Sequence, residues 1–172
     1  MTERFTHEDV TVYTLDDSAE ERLLREQNEC VFIWANKEGW PVGVVMSYVF
    51  REGSFWLTAS GQRRRIAAVR RDPRVSIAVS SKGTSIAHAQ TVTYKGRCTV
   101  HDDEATKAWF YPALVDVIRA GESEAYKQHY VEVLDSPRRV ILQVKPTARI
   151  GFDGSKMHRA TVESFTQRTA AD

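Results

Sequence analysis

The segment Pro41–Phe50, PVGVVMSYVF, has an apolar or small side chain at every position. Successive residues of a β-strand point to opposite faces, so a strand of this composition is covered on both sides. In a chain of 172 residues, one side can face the interior of a small barrel. The other side then requires a partner subunit or a flat ligand, and this requirement limits the folds that the chain can adopt.

Five other segments have the short, β-branched or aromatic composition that is typical of strands. They are Val31–Ala35, Phe55–Ser60, Arg74–Ser81, Thr91–Val100 and Arg138–Pro146. Most of the connections are short turns, and a closed sheet leaves no exposed edge strand. We therefore predict a mainly β fold with flanking helices, built on a closed or nearly closed barrel of about six strands.

Helix-forming segments lie between and before these strands. The composition of Ala19–Asn28 favours a helix. The Asp102–Asp103 pair can cap a helix that runs to Ala120, and Pro112 is expected to bend or divide it. Ser123–Leu134 is a second helical segment before the last strand.

The length of the chain predicts one domain over residues 1–172. Within it we expect an N-terminal arm or helix over residues 1–28, a barrel core over 29–153 and a loosely structured C-terminal tail over 154–172. Hydrophobic residues make up 42% of the chain and charged residues 27%, which is ordinary for a globular protein.

Bulk charge and residue usage exclude several classes of function. The formal net charge is only +1, whereas nucleic-acid-binding domains usually carry a basic excess, so we predict no nucleic-acid partner. There is no apolar leader and no run near the ~18 apolar residues of a membrane span, so a soluble, cytoplasmic protein without a membrane partner is expected. Cys30 and Cys98 are isolated and predicted to be reduced core residues. The histidines have no metal-binding spacing, and no metal site is predicted.

The charge is concentrated in one segment, Thr58–Arg74, TASGQRRRIAAVRRDPR, which contains six arginines. Its first residues end a strand, and Arg63–Arg71 is predicted to form a short helix that stops before Asp72 and Pro73. Ser60 is the expected N-cap of this helix. A helix N-terminus with hydroxyl groups and several guanidinium groups is a suitable site for a phosphate monoester.

Two other interpretations of the arginines remain open at this stage. An arginine run is often a solvated helix face, and Arg70, Arg71 and Arg74 fit that interpretation, so we assign them no ligand. A nucleic-acid backbone is the third possibility, although the chain lacks a basic stripe with interleaved aromatic residues.

The sequence FWLTASGQRRRIAAVRRDPRVSIAV resembles the signature of the pyridoxamine-phosphate-oxidase-like, FMN-binding split barrels. GWPVGVVMSYVF is similar to the second strand of that family, and TVTYKGRCTVHDD is similar to its strand with a central glycine. VILQVKPTARIGFD resembles its closing strand. The resemblance spans roughly Val31–Asp153 and implies a homodimer with two flavins at the subunit interface.

The resemblance also implies a set of cofactor-binding residues. Residues around the phosphate would be Thr58, Ala59, Ser60, Arg64 and Arg65. Residues along the isoalloxazine ring would be Val44, Val45, Met46 and Ser47, with backbone groups meeting its pyrimidine edge. Gln90 and Thr91, of the same or the partner subunit, are further candidates.

By the same resemblance, the protein would be a flavin-dependent oxidoreductase that binds FMN and acts on a small-molecule substrate. An 8-hydroxy-5-deazaflavin coenzyme is the alternative cofactor, and a non-catalytic flavin- or haem-binding protein is the alternative function. The segment GFDGSKMHRA does not reproduce the arginine and histidine pattern that holds substrate in the pyridoxamine phosphate oxidases. Pyridoxamine phosphate is therefore not the predicted substrate, and no side chain is assigned as a general acid or base.

Overall fold

The computed structural model describes residues 5–170, which form seven strands and five helices. The strands are β1 (Glu29–Ala35), β2 (Pro41–Ser47), β3 (Val49–Arg51), β4 (Ser54–Ser60), β5 (Arg74–Ser80), β6 (Gln90–His101) and β7 (Arg139–Asp153). The helices are α1 (Asp17–Glu26), α2 (Arg64–Arg71), α3 (Glu104–Ile118), α4 (Glu124–Leu134) and α5 (Gly154–Thr169). The strands form one sheet in the order β2-β1-β5-β6-β7-β4-β3.

The predicted fold class, mainly β with flanking helices, is confirmed. Alternate residues of the strands are buried, as in β1, where Phe32 and Trp34 point inward while Ile33 is only partly covered. β5 and β6 repeat this pattern, and Ile77 and Val92 are fully buried. The period of two therefore separates an apolar interior from an outer face of the sheet.

The sheet has seven strands rather than about six, because the predicted strand Pro41–Phe50 is two strands in the structure. Tyr48 interrupts it. Its backbone N–H donates to the carbonyl of Asn28 at 3.1 Å, and its side chain is only 2% exposed. The first part, β2, pairs with β1 and lies at one end of the sheet order. The second part, β3, pairs with β4 and lies at the other end.

The expectation of a loosely structured C-terminal tail is wrong for residues 154–169. β7 continues to Asp153, and α5 follows directly. Asp153 caps this helix, since its carboxylate accepts hydrogen bonds from the backbone N–H of Ser155 at 2.9 Å and from its hydroxyl at 2.6 Å. The second half of α5 is largely exposed, including Phe165, so the tail lacked the apolar periodicity that would have predicted a packed helix.

Side chains cap the starts of α3 and α4, and the cap of α3 is one of the two predicted residues. Asp103 accepts a hydrogen bond from the backbone N–H of Thr106 at 2.8 Å at the start of α3, and Ser123 caps α4 in the same way. α3 runs without a break through Pro112, so the proline does not divide it. Phe110 and Leu114 of this helix pack with Ile141 of β7 in a buried cluster, and this packing offsets the hydrogen bond that proline cannot donate.

The chain divides into two compact units. The first contains the residues up to Gln27, Val79–Thr93 and the residues from Ile150 onward; the second contains Asn28–Ala78 and Tyr94–Arg149. Among the described residues, no helix combines the length and apolar character needed to cross a bilayer.

The contact between β6 and β7 requires a glycine at position 96. A Cβ atom at Gly96 would lie 2.8 Å from the carbonyl oxygen of Lys145 and 2.9 Å from Cγ1 of Val144. We predict that Gly96→Ala lowers the free energy of unfolding by about 1–3 kcal/mol, because the strands must move apart to admit the methyl group. Gly121→Ala, where a Cβ has nothing within 4 Å, is the matched control and should change it little. Urea denaturation of both variants measures the difference, and equal midpoints would contradict the prediction.

Candidate cofactor site

A tight turn joins β4 to α2 at the residues predicted to bind phosphate. The backbone N–H of Gly61 donates to the carbonyl of Arg138 at 2.6 Å, and that of Arg63 donates to Ser60 at 3.0 Å. A Cβ atom at Gly61 would approach the same Arg138 oxygen to 3.0 Å, so a larger residue would push the two segments apart. The turn therefore places the start of α2 directly beside the beginning of β7.

The start of α2 has no side-chain cap. The N-cap residue is Arg63, not Ser60 as predicted, and it makes no capping hydrogen bond. Ser60 is still part of β4, where it pairs with Arg139, so its hydroxyl is too early in the chain to cap the helix. The first turn contains no acidic residue either, and the positive end of the helix is left without a negative partner from its own sequence.

The three arginines at this turn have no counter-ions among the described residues. Arg63 and Arg64 are exposed, and Arg65 is half-buried with its Nε atom buried and lacking a hydrogen-bond partner. Within residues 5–170, none of the three forms an ion pair. Burial, together with the charge of Arg63, lowers the pKa of Arg65. Both causes disfavour the charged guanidinium, and the attraction of a bound anion would offset them.

Two of the three arginines that were assigned no ligand, Arg71 and Arg74, have partners within the chain. Arg71 donates to the carbonyl of Ala35 at 3.1 Å. Arg74 pairs with Asp72 at 2.7 Å, and its hydrogen bonds lower the pKa of that carboxyl to about 2. These contacts distinguish the second half of the arginine segment from the first.

The side chains of Thr58 and Ala59 are less available to contact a phosphate than the resemblance implied. The hydroxyl of Thr58 donates to the carbonyl of Val140 at 2.9 Å, and the side chain of Ala59 is buried. Ser60 is half-buried, in the same strand. The structure thus brings Ser60, Arg64 and Arg65 to one turn, while Thr58 joins β4 to β7.

The ring-binding candidates Val44, Val45, Met46 and Ser47 lie on β2. Among the described residues, this strand has a hydrogen-bonded neighbour on one side only, β1, so its other edge presents free backbone groups. Val45 is 64% exposed, and Val44 and Met46 are half-buried. Behind them the thiol of Cys30 lies 3.5 Å from the carbonyl oxygen of Met46.

Gln90 and Thr91 belong to the first unit. Thr91 is exposed. Gln90 is buried; its backbone N–H donates to the hydroxyl of Ser81 at 2.9 Å, and its side chain hydrogen-bonds Asp153. Its Oε1 atom is buried without a hydrogen-bond partner.

Sequence reasoning missed Arg139 as a candidate. It is the direct cross-strand partner of Ser60, and its Nε atom is buried without a hydrogen-bond partner, as in Arg65. Arg139 therefore shares with Arg65 a buried guanidinium nitrogen without a hydrogen-bond partner, and the strand register places its backbone opposite Ser60. The Arg138–Arg139 pair at the start of the last strand was the only sequence signal, and the strand register was needed to interpret it.

The sequence model of the pyridoxamine 5'-phosphate oxidase family matches residues 16–150, and the chain belongs to this family. The match covers β1 to β6, α2 and most of β7, so it includes all of the candidate cofactor residues. A search of curated protein sequences finds no significant match.

Solved structures share the fold at low sequence identity. The conserved hypothetical protein Rv2991 of Mycobacterium tuberculosis is 15% identical with a TM-score of 0.73, over 90% of this chain and 93% of that one. An F420 reductase is 21% identical with a TM-score of 0.57, over 76% and 94%. HutZ, the heme storage protein of Vibrio cholerae, is 11% identical with a TM-score of 0.59, over 78% and 92%. The fold is therefore that of the split barrels of this family.

The two thiols of the second unit should be inert in the folded protein. Burial raises the pKa of Cys30 and of Cys98 to about 12, so almost no thiolate forms at pH 8. We predict that neither thiol reacts with Ellman's reagent in native buffer at that pH, and that both react in urea. Because the folded pKa is raised, this contribution to stability is lost as the pH rises above about 9 towards 12. Rapid labelling of the native protein would contradict the buried positions.

Proposed function

We propose that this protein is a homodimeric, flavin-dependent oxidoreductase that binds FMN and acts on a small-molecule substrate. The observation that carries the proposal is the turn between β4 and α2. Three arginines meet there at an uncapped helix start, without counter-ions in residues 5–170, and one has a buried nitrogen without a partner. A terminal phosphate would supply the missing acceptor oxygens.

The residues at this turn fit a phosphate monoester. Arg64 and Arg65 offer guanidinium donors, and the first turn of α2 offers backbone N–H groups. Ser60 adds a hydroxyl, and Arg139 a further guanidinium from the adjacent strand. A hydrogen bond between charged groups contributes about 1.5–3 kcal/mol, so several of them can anchor a cofactor whose ring binds elsewhere.

β2 would orient the flavin ring. Its free edge carries backbone donors and acceptors along residues 44–47, which match the alternating donors and acceptors of a pyrimidine edge. The half-buried side chains of Val44 and Met46 provide apolar contacts beside it. The thiol of Cys30 lies behind this strand and stays neutral, because burial raises its pKa, so it adds no charge beside the ring.

A second copy of the chain would complete the site. The outer side of β2 carries the exposed Val45, and its cross-strand partner Val31 is only partly covered. An apolar, unpaired edge strand is a liability in a monomer. Covering it with the partner subunit would also exclude water from the ring, which strengthens the polar contacts to the cofactor.

Bound FMN would supply hydride or electron-pair transfer to the substrate. The chain itself would anchor the phosphate through Arg64 and Arg65 and hold the ring edge on β2. No residue of the site is proposed to move a proton.

The deazaflavin coenzyme is the second candidate, supported by the structural similarity to an F420 reductase. Its more anionic tail would also suit three unpaired arginines. The similarity to a heme storage protein keeps a non-catalytic carrier as the alternative function.

The phosphate assignment predicts that the Arg64→Ala/Arg65→Ala variant loses its preference for FMN over riboflavin. Wild-type protein should bind FMN at least about tenfold more tightly than riboflavin, because only FMN has the phosphate. In the variant, this preference should disappear while riboflavin affinity stays the same. Quenching of flavin fluorescence measures both affinities, and the deazaflavin coenzyme is titrated in parallel.

Arg70→Ala is the matched control, since Arg70 is an exposed arginine in the last turn of the same helix. It should keep the wild-type preference. A double variant that still prefers FMN to riboflavin as strongly as wild type would refute the phosphate site.

Turnover distinguishes an enzyme from a carrier. We expect the FMN-loaded protein to be reduced by NADH or NADPH without oxygen and then reoxidised by a quinone or nitroaromatic acceptor over many cycles. Stopped-flow spectra of the bound flavin measure both half-reactions. If neither half-reaction is faster than with free FMN, the protein is a carrier and the catalytic part of the proposal is wrong.

A further inference from the structure

A cavity of about 590 Å³ opens on the outer face of the sheet, within the second unit. Its apolar wall is formed by Ile33 near the end of β1 and Pro41 at the start of β2. Ser76 of β5 is the cross-strand neighbour of Ile33 and lies beside it on the same face. A cavity of this size is in the range that holds small organic ligands.

Two cations from β6 line the same cavity. Lys95 and Arg97 are both exposed and flank Gly96, whose absent side chain would point inward to β7. Residues two apart on a strand point to the same face and are about 6.5 Å apart. Lys95 and Arg97 therefore present two positive charges side by side on β6, across β5 from the apolar wall.

The positive charge of this pair is not compensated by any acidic residue in the part of the chain that the structure describes. The only acidic residue of the lining is Asp72, which is already paired with Arg74 at 2.7 Å. Within residues 5–170, neither Lys95 nor Arg97 forms an ion pair. The backbone N–H of Cys98 donates to the carbonyl of Pro73 at 2.8 Å, which holds β6 against this segment. The lining thus has two unpaired cations beside one neutralised pair.

We infer that this cavity binds a small organic dianion with a flat, apolar body, of the class of aromatic dicarboxylates. The flat body would lie across β5 over Ser76, with its far edge against Ile33. Its two anionic groups would sit together on the opposite edge of the ring system, where they would meet Lys95 and Arg97 of β6.

This cavity is separate from the proposed phosphate site. It adjoins Asp72, just after the C-terminal end of α2, whereas the phosphate site lies at the N-terminal end. A helix of eight residues is about 12 Å long. The two sites therefore share no residue and can be tested independently.

The test uses naphthalene-2,3-dicarboxylate as the probe and the full-length protein, with binding measured by calorimetry and by probe fluorescence. We expect saturable binding to wild type and a loss of at least about tenfold in affinity in Lys95→Gln/Arg97→Gln. The uncharged naphthalene-2,3-dimethanol should bind much more weakly than the dicarboxylate. Ser76→Phe, which fills the cavity without changing charge, should also abolish binding.

Arg70→Gln/Lys82→Gln is the matched control, because it removes two exposed cations that do not line the cavity. It should bind the probe as wild type does, and so should Arg64→Ala/Arg65→Ala, which tests the other site. Equal loss of affinity in the two glutamine variants, equal binding of the uncharged probe, or no saturable binding to wild type would each overturn the inference.

Discussion

Burial of one face of the sheet against an apolar interior is the constraint on which the second unit depends. Phe32, Ile77, Leu142 and Val144 are fully buried. Each such side chain contributes about 1.5–3 kcal/mol relative to exposure, so a shift of one residue in any strand would be costly. The register that this burial imposes also decides which residues face outward, and the lining of the outer cavity comes from those positions.

The distribution of charge matters more here than its total. The chain is nearly neutral, and many cations are offset locally, as Arg22 is by Glu26 and Lys127 by Asp116 and Glu124. The arginines at the start of α2 have no such partner within residues 5–170. Such an arrangement costs electrostatic free energy in the empty protein, and an anionic ligand recovers it. Lys95 and Arg97 likewise have no ion-pair partner within residues 5–170, in contrast to Arg22 and Lys127.

The fold class could be predicted because strand alternation and helix caps are local properties. Thr91–Val100 alternates in the sequence and in the structure, and Asp103 caps α3 as expected. The predictions of secondary structure were wrong where contacts between residues far apart in the chain decide the structure, or where the sequence lacks a local signal. Tyr48 divides a continuous apolar segment because its backbone bonds Asn28, and α5 forms from a sequence with little apolar periodicity.

By itself, the amino-acid sequence determined the strands, the position of the arginine turn and the family resemblance, since each depends on residues close together in the chain. Only the tertiary structure decided which arginines lack partners, because burial and cross-strand pairing join residues far apart. Arg139 meets Ser60 through the register of β4 and β7. Lys95 and Arg97 share a cavity with Ile33 for the same reason, since sheet order brings β1 and β6 to either side of β5.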